Sequence, residues 1–130
     1  MSLDDFKGKR NLVLYFYPKD NSPGCTREAC SFRDSYNAFK ELGAEVVGVS
    51  PDGQSSHSKF ARDEQIPFPL LSDPDGSMRK VYGVKATLGF IPGRVTFVID
   101  MNGVIRYVFS SQIQPSRHVE EALRALRTLK

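Results

Sequence analysis

Short runs of hydrophobic residues alternate along the chain with stretches in which hydrophobic residues recur every three or four positions. Continuous apolar runs occupy residues 11–17, 44–50 and 95–100, a pattern typical of strands that are covered on both faces. Between the first two runs, residues 25–42 show the spacing of one helical face, and Gly43 follows as a C-terminal stop. The first half is therefore predicted to be strand, helix and strand, which favours a parallel pair with a right-handed crossover.

The second half of the chain predicts more helices and a hairpin. Residues 55–64 and 77–82 have helical patterns. The Asn-Gly pair at 102–103, between two apolar runs, predicts a tight hairpin. Pro115 suits the first turn of a closing helix, where its missing N–H is not needed. Together these segments predict an α/β fold, with a mixed central sheet flanked by helices on both faces.

Length and composition agree with one domain spanning residues 1–130. Of the 130 residues, 40% are hydrophobic, so a conventional core can form without metal or disulfide staples. The net charge of +3 is spread along the chain, which gives nucleic-acid binding little support. The apolar runs are far shorter than a membrane span, and residues 1–11 lack the apolar core of a secretory signal. We therefore expect a soluble protein that binds neither nucleic acid nor membranes.

Two cysteines, Cys25 and Cys30, are the main candidates for chemistry. Cys25 follows a predicted strand and opens a predicted helix, and ligands of open α/β sheets bind at this edge. Backbone amides and the positive end of the helix dipole stabilise a thiolate there, which is the nucleophilic form of cysteine. Alternatively, Cys25 is a small buried hydrophobic residue. The flanking Pro18, Pro23 and Gly24 impose a special backbone and favour the functional interpretation.

The spacing of the two cysteines decides how they can communicate. In an intact helix their α-carbons lie roughly 8.7 Å apart on opposite sides of the axis, beyond the limit of about 7 Å for a disulfide. Either the pair never bonds, or the first helical turn unwinds when it does, and Cys30 is equally compatible with a core position. A metal site is disfavoured, because there is no Cys-x-x-Cys pair and we expect His57 and His118 on solvated helix faces.

The residues around Cys25 resemble a known family. The pattern Pro18-x-x-x-Ser22-x-x-Cys25 is similar to the active-site signature of the peroxiredoxins, in which Thr or Ser precedes the peroxidatic cysteine by three residues. Glu28 matches the acidic residue three positions later, and Arg94 matches the arginine of the family's second motif. The match covers nearly the whole chain and implies a thioredoxin-like fold.

Two further features resemble the branch that contains bacterioferritin comigratory protein and peroxiredoxin Q. They are the second cysteine at plus five and the sequence of residues 114–118. Two other features differ from those of most family members. Ser22 replaces the commoner threonine, and the β-hairpin that precedes residues 3–9 in other members is expected to be absent.

The resemblance implies a thiol-dependent peroxidase with a role in antioxidant defence and redox homeostasis. Cys25 would be oxidised to sulfenic acid by hydrogen peroxide or an organic hydroperoxide, and Cys30 would resolve it as an intramolecular disulfide. Four other residues would complete the site: Arg94 to stabilise thiolate and oxyanion, Ser22 to orient the peroxide, Pro18 to shield the sulfur and Glu28 to position Arg94.

The same resemblance implies thioredoxin, or a glutaredoxin, as reductant and a monomeric enzyme that needs no metal or other cofactor. The bacterial or cyanobacterial cytoplasm is the simplest location, with a plastid, after removal of a transit peptide, as the alternative. Two other functions stay open. One is a disulfide oxidoreductase, against which the absence of Cys-x-x-Cys argues, and the other is a redox sensor or holdase that binds partners when oxidised.

Overall fold

Five strands form one mixed sheet in the described part of the protein. The computed structural model describes residues 10–17, 20, 23–73, 95–110 and 115–129. The strands are β1 (Asn11–Phe16), β2 (Ala44–Ser50), β3 (Leu70–Ser72), β4 (Val95–Ile99) and β5 (Ile105–Ser110). Their order across the sheet is β3-β2-β1-β4-β5.

The pairing directions make the sheet half parallel and half antiparallel. β1 and β3 run parallel to β2, whereas β4 runs antiparallel to both β1 and β5. In the central register, Val13 of β1 lies between Val46 of β2 and Val98 of β4. The predicted parallel pair and the mixed sheet are both confirmed. β3 adds a short parallel strand that the hydrophobic pattern did not predict.

Four helices lie in the described part of the chain. They are α1 (Pro23–Asp34), α2 (Tyr36–Glu41), α3 (Gln54–Glu64) and α4 (Pro115–Thr128). The predictions for residues 55–64 and for a helix beginning at Pro115 are confirmed, while the helix predicted at 77–82 lies outside the described residues. None of the described helices has the length and apolar character needed to cross a membrane.

The single helix predicted over residues 25–42 is wrong, because the chain bends at Ser35. This residue has φ −101° and ψ 6°, outside helical values, and separates α1 from α2. Asp34 and Ser35 both compete with helical backbone through their own side chains, which makes this pair a weak point. The bend leaves both Phe32 of α1 and Phe39 of α2 completely buried.

The predicted tight hairpin joins β4 to β5, and its loop consists of Met101, Asn102 and Gly103. The Asp100 N–H donates to the Val104 carbonyl, and the Gly103 N–H donates to the Asp100 carbonyl. Gly103 has φ +82°, the left-handed conformation that ends a three-residue hairpin loop. The Asp100 carboxylate also accepts from the backbone N–H groups of Asn102 and Val104. These side-chain bonds stabilise the loop.

Both faces of the sheet are buried, and the described helices all pack on one of them. Residues 13, 15 and 17 face α1, α2, α3 and α4, whose buried side chains complete that core: Cys25, Ala29, Phe32, Phe39, Phe60, Val119, Ala122 and Leu126. The opposite face forms a second apolar cluster: Leu12, Leu14, Phe16, Val47, Val49, Val95, Phe97 and Ile99. The described residues thus show the helical layer of one face.

Tyr15 packs at the centre of the first core with its hydroxyl buried. Its ring stacks on Phe32 with centroids 4.5 Å apart. A β-carbon on Gly48 would lie 2.9 Å from the Tyr15 ring and hydroxyl, so only glycine leaves room there. The hydroxyl has no hydrogen-bond partner among the described residues. Burial raises the pKa of Tyr15 well above its ordinary value, so the hydroxyl stays protonated.

Replacing Tyr15 by phenylalanine should stabilise the protein by about 1 kcal/mol, because it removes a buried hydroxyl that has no hydrogen-bond partner among the described residues. Tyr17→Phe is the matched control, since the Tyr17 hydroxyl donates to the Asp20 carboxylate at 2.6 Å. Its loss should destabilise the protein by about 1.5–3 kcal/mol. Urea unfolding measures both changes, and a Tyr15→Phe variant less stable than the parent would contradict this account.

Candidate active site

Cys25 lies in the first turn of α1, as predicted. The helix begins at Pro23 and follows the carboxyl end of β1, the edge at which ligands of such sheets bind. Only 1% of Cys25 is exposed, and it belongs to the same core cluster as Tyr15 and Ala29. Backbone amides of a first helical turn lack intrahelical partners, so they can donate hydrogen bonds to a group placed at this position.

Cys30 lies in the same helix but contacts a different part of the fold. Its thiol donates to the Glu64 carboxylate at 3.9 Å, and Arg33 donates to the backbone carbonyl of Glu64 at 2.6 Å. Burial and the Glu64 carboxylate together raise the pKa of Cys30, although Arg33 opposes the shift. Cys30 is therefore held as a thiol against the end of α3.

The two cysteines are both reduced and stand in one continuous helix. At i and i+5 their α-carbons are roughly 8.7 Å apart by helical geometry, so a disulfide requires the helix between them to open. The structure thus places the two predicted residues in one element without bringing them into bonding distance.

Glu28 is completely buried one turn after Cys25. Its carboxylate lies 3.6 Å from Nδ1 of His118, and that nitrogen is 2.7 Å from the Thr96 hydroxyl. The predicted partner of Glu28, Arg94, lies outside the described residues, as do Pro18 and Ser22. β4 and α4 therefore both contribute polar groups beneath the start of α1.

The prediction that both histidines lie on solvated helix faces is wrong. His118 has no exposed surface and His57 only 2%. His118 precedes Ala122 and Leu126 by four and eight residues, so it lies on the buried stripe of α4. The same helical spacing could have identified it from the sequence.

A second buried polar cluster contains Asp20, which stands five residues before Cys25. Asp20 accepts hydrogen bonds from the hydroxyls of Tyr17 and Ser56 and lies 2.8 Å from Nδ1 of His57. Sequence reasoning missed Asp20, although it stands within the Cys25 motif. No group of three or more His, Cys, Asp or Glu side chains among the described residues could hold a metal ion.

These features define a class before any comparison. An α/β sheet presents a buried thiol at the start of a helix, and a second thiol follows in the same helix. Such an arrangement can form a nucleophilic thiolate and, after local opening, a disulfide. The fold and site are those of a thiol-based redox protein.

Comparison with known proteins specifies the class. The sequence model of the AhpC/TSA family matches residues 1–108. A chloroplastic peroxiredoxin Q from Sedum lineare is 52% identical over 131 residues, covering 100% of this chain and 70% of the relative. The chloroplastic peroxiredoxin Q of Populus jackii is also 52% identical, over 99% of this chain and 61% of the relative. The chain thus spans between 61% and 70% of the length of these two curated relatives.

Solved structures give the same result. Peroxidoxin BcpB from Mycobacterium tuberculosis superimposes with a TM-score of 0.86 and 41% identity, covering 92% of this chain and 80% of that one. A cysteine-to-serine mutant of PrxQ from Xylella fastidiosa superimposes with a TM-score of 0.90 and 34% identity, covering 99% of this chain and 82% of that one. The predicted thioredoxin-like fold is confirmed. The chain belongs to the AhpC/TSA family and is a peroxiredoxin, that is, a thiol-dependent peroxidase.

Replacing Glu64 by glutamine should lower the pKa of Cys30, because it removes the negative charge beside the sulfur and leaves Arg33 in place. In a Cys25→Ser background, iodoacetamide should then alkylate Cys30 several times faster at mildly alkaline pH. Asp63→Asn, an exposed position on the same helix, is the control. Equal alkylation rates in the Glu64 variant and the parent would show that the carboxylate does not act on the thiol.

Proposed function

We propose that Cys25 is the peroxidatic cysteine and Cys30 the resolving cysteine of a peroxidase that acts on hydrogen peroxide and organic hydroperoxides. The observation that supports this assignment best is the position of Cys25, a buried thiol in the first helical turn after β1. The Cys25 thiolate attacks one peroxide oxygen, so that an S–O bond forms and the O–O bond breaks. The other oxygen takes a proton and leaves as water or an alcohol.

The second half of the cycle joins the two cysteines. The Cys30 sulfur attacks the Cys25 sulfenic acid, forming the S–S bond and breaking the S–O bond, and water leaves with the thiol proton. A dithiol reductant then restores both thiols and is itself oxidised to a disulfide. Cys30 is the only other cysteine in the chain, which supports its role as the internal resolving thiol.

Resolution requires movement of α1, because an intact helix keeps the two sulfurs apart. The bonds from Cys30 and Arg33 to Glu64 hold this part of α1 against α3 in the reduced protein. We propose that both hydrogen bonds break when the disulfide forms. The unwound turn then exposes the disulfide to the reductant.

The remaining site residues are proposed to work on the peroxide and the charges it creates. Arg94 stabilises the thiolate and the leaving oxyanion, Ser22 orients the peroxide, and Pro18 shields the sulfur. Glu28 positions Arg94. The burial of Glu28 beside Cys25 supports a role inside the site, since a buried carboxylate is retained only with compensating partners.

The proposal also covers the substrate, the reductant, the cellular location and the domain organisation. One related structure, of Xanthomonas campestris bacterioferritin comigratory protein, is described in terms of its alkyl peroxide reduction activity, which supports organic hydroperoxides as substrates. We propose thioredoxin, with glutaredoxin as the alternative, as the reductant of a monomeric antioxidant enzyme.

The chloroplastic relatives support a plastid, rather than the bacterial cytoplasm, as the location of the protein. We also propose one domain over residues 1–130, because every described strand joins the same sheet.

Peroxide consumption coupled to a thioredoxin system tests the two cysteine roles. Cys25→Ser should abolish turnover, because no thiolate remains to attack the O–O bond. Cys30→Ser should still react once with peroxide but recycle poorly, since its sulfenic acid lacks an internal partner. Wild-type turnover in the Cys25→Ser variant would end the peroxidase assignment, and unimpaired recycling in Cys30→Ser would end that of the resolving thiol.

Amide hydrogen exchange tests the unwinding. We expect residues 24–32 to exchange faster in the oxidised protein than in the reduced one, because the disulfide cannot close within an intact helix. The Cys30→Ser variant, treated with the same oxidant, is the control that cannot form the bond. Equal protection of this segment in both redox states of the wild type would exclude the unwinding.

A further inference from the structure

A buried network ties the loop before Cys25 to a neighbouring helix and strand. Asp20 is 3% exposed and His57 2%. His57 Nδ1 lies 2.8 Å from the Asp20 carboxylate, and Nε2 lies 3.0 Å from the backbone carbonyl of Leu71. The Tyr17 and Ser56 hydroxyls donate to the same carboxylate. The network therefore joins Tyr17 and Asp20 to α3 and β3.

The partners of the His57 ring determine its protonation. A backbone carbonyl only accepts hydrogen bonds, so Nε2 carries a proton. The Asp20 carboxylate accepts hydrogen bonds from two hydroxyls, and an ionised carboxylate is an acceptor only, so Nδ1 carries a proton as well. His57 is thus an imidazolium paired with a buried carboxylate.

The electrostatics of both groups agree with this charged pair. Burial acts to raise the pKa of Asp20, but hydrogen bonds from His57, Tyr17 and Ser56 outweigh it and hold that pKa below its ordinary value. Burial acts to lower the pKa of His57, but the Asp20 carboxylate, the Leu71 carbonyl and the charge of Asp52 outweigh it and raise that pKa. Burial and Asp20 keep Tyr17 protonated by raising its pKa.

The pair also has a direct mechanical connection to the site. The backbone N–H of Asp20 donates to the Asp52 carboxylate at 2.6 Å, and Ser50 donates to the same oxygen. The backbone of Asp20 is therefore anchored to the segment that joins β2 to α3, and its side chain is anchored to α3 itself. Asp20 stands five residues before Cys25.

We propose that His57 is a positioning residue for the peroxidatic cysteine: as an imidazolium it holds Asp20, which stands five residues before Cys25. This inference rests on the proposed function of Cys25. His57 itself does not contact the reacting atoms. It acts by keeping the start of α1 in the geometry that peroxide attack requires.

The proposal has a definite pH dependence. The His57 contribution is complete below the ordinary histidine value of 6.5 and is lost as pH rises through the raised pKa, where the neutral ring would turn a lone pair toward the carboxylate. The Asp20 contribution is present above its ordinary value of 3.8 and is lost as pH falls through the lowered pKa. Between these limits the Asp20–His57 pair is intact.

Three variants test the role of His57. His57→Phe keeps a ring but removes both N–H donors, and should slow the oxidation of Cys25 by hydrogen peroxide between about 10-fold and 100-fold at neutral pH. Asp20→Asn should slow the reaction less than His57→Phe does, because its amide can donate to a neutral Nδ1. Ser58→Ala, exposed on the same helix, is the control and should leave the rate unchanged.

Ring nitrogen NMR gives a readout that does not depend on activity. With only two histidines in the chain, the His57→Phe spectrum assigns the His57 signals. We expect an imidazolium at neutral pH in the wild type and a neutral ring in Asp20→Asn. The alkaline loss of Cys25 reactivity linked to His57 should also disappear in Asp20→Asn, which keeps the test available even if His57→Phe does not fold.

Three results would overturn the proposal: a neutral His57 in the wild type at neutral pH, a His57→Phe rate equal to that of Ser58→Ala, or identical pH profiles for wild type and Asp20→Asn. Failure of the proposed function looks different. In that case wild-type Cys25 would not react with peroxide at all, while the NMR signals would still report the charge of His57.

Discussion

The packing of α1 against β1 is the interaction on which the rest of the structure depends. Phe32 of α1 stacks on Tyr15 of β1, and Gly48 of β2 leaves the space that the Tyr15 ring needs. This contact sets the height and direction of α1 over the sheet. It thereby fixes where the helix starts, and the start of the helix carries Cys25. An apolar contact in the core thus determines the position of a reactive thiol.

Buried polar pairs flank that apolar contact. On one side, Glu28 lies beside His118 and Thr96, which belong to α4 and β4. On the other, Asp20 lies beside His57 of α3. Charged groups this deeply buried are tolerated only with partners, so each pair ties the region of Cys25 to a distant part of the chain. The reactive segment is held from both sides, whereas the Cys30 thiol itself contacts the Glu64 carboxylate.

The surroundings of Cys25 and Cys30 differ, and this difference matches the different requirements of the two steps of the catalytic cycle. Peroxide attack needs a pre-organised thiolate, and disulfide formation needs the helix to open. The contact between Cys30 and Glu64 is long and only partly buried, so breaking it costs little compared with disrupting the buried pairs near Cys25. The fold thus combines a firmly anchored nucleophile with a resolving thiol that can be released.

By itself the sequence determined the strands β1, β2 and β4, the helices α3 and α4, and the position of Cys25 at a helix start, because these depend on local hydrophobic periodicity and on proline and glycine nearby. Only the tertiary structure decided the bend at Ser35 and the burial of His57. A histidine side chain can be either exposed to solvent or buried in a core. For His57 the outcome depends on the Asp20 carboxylate, which the fold brings to it from 37 residues away in the chain, and no local pattern encodes that contact.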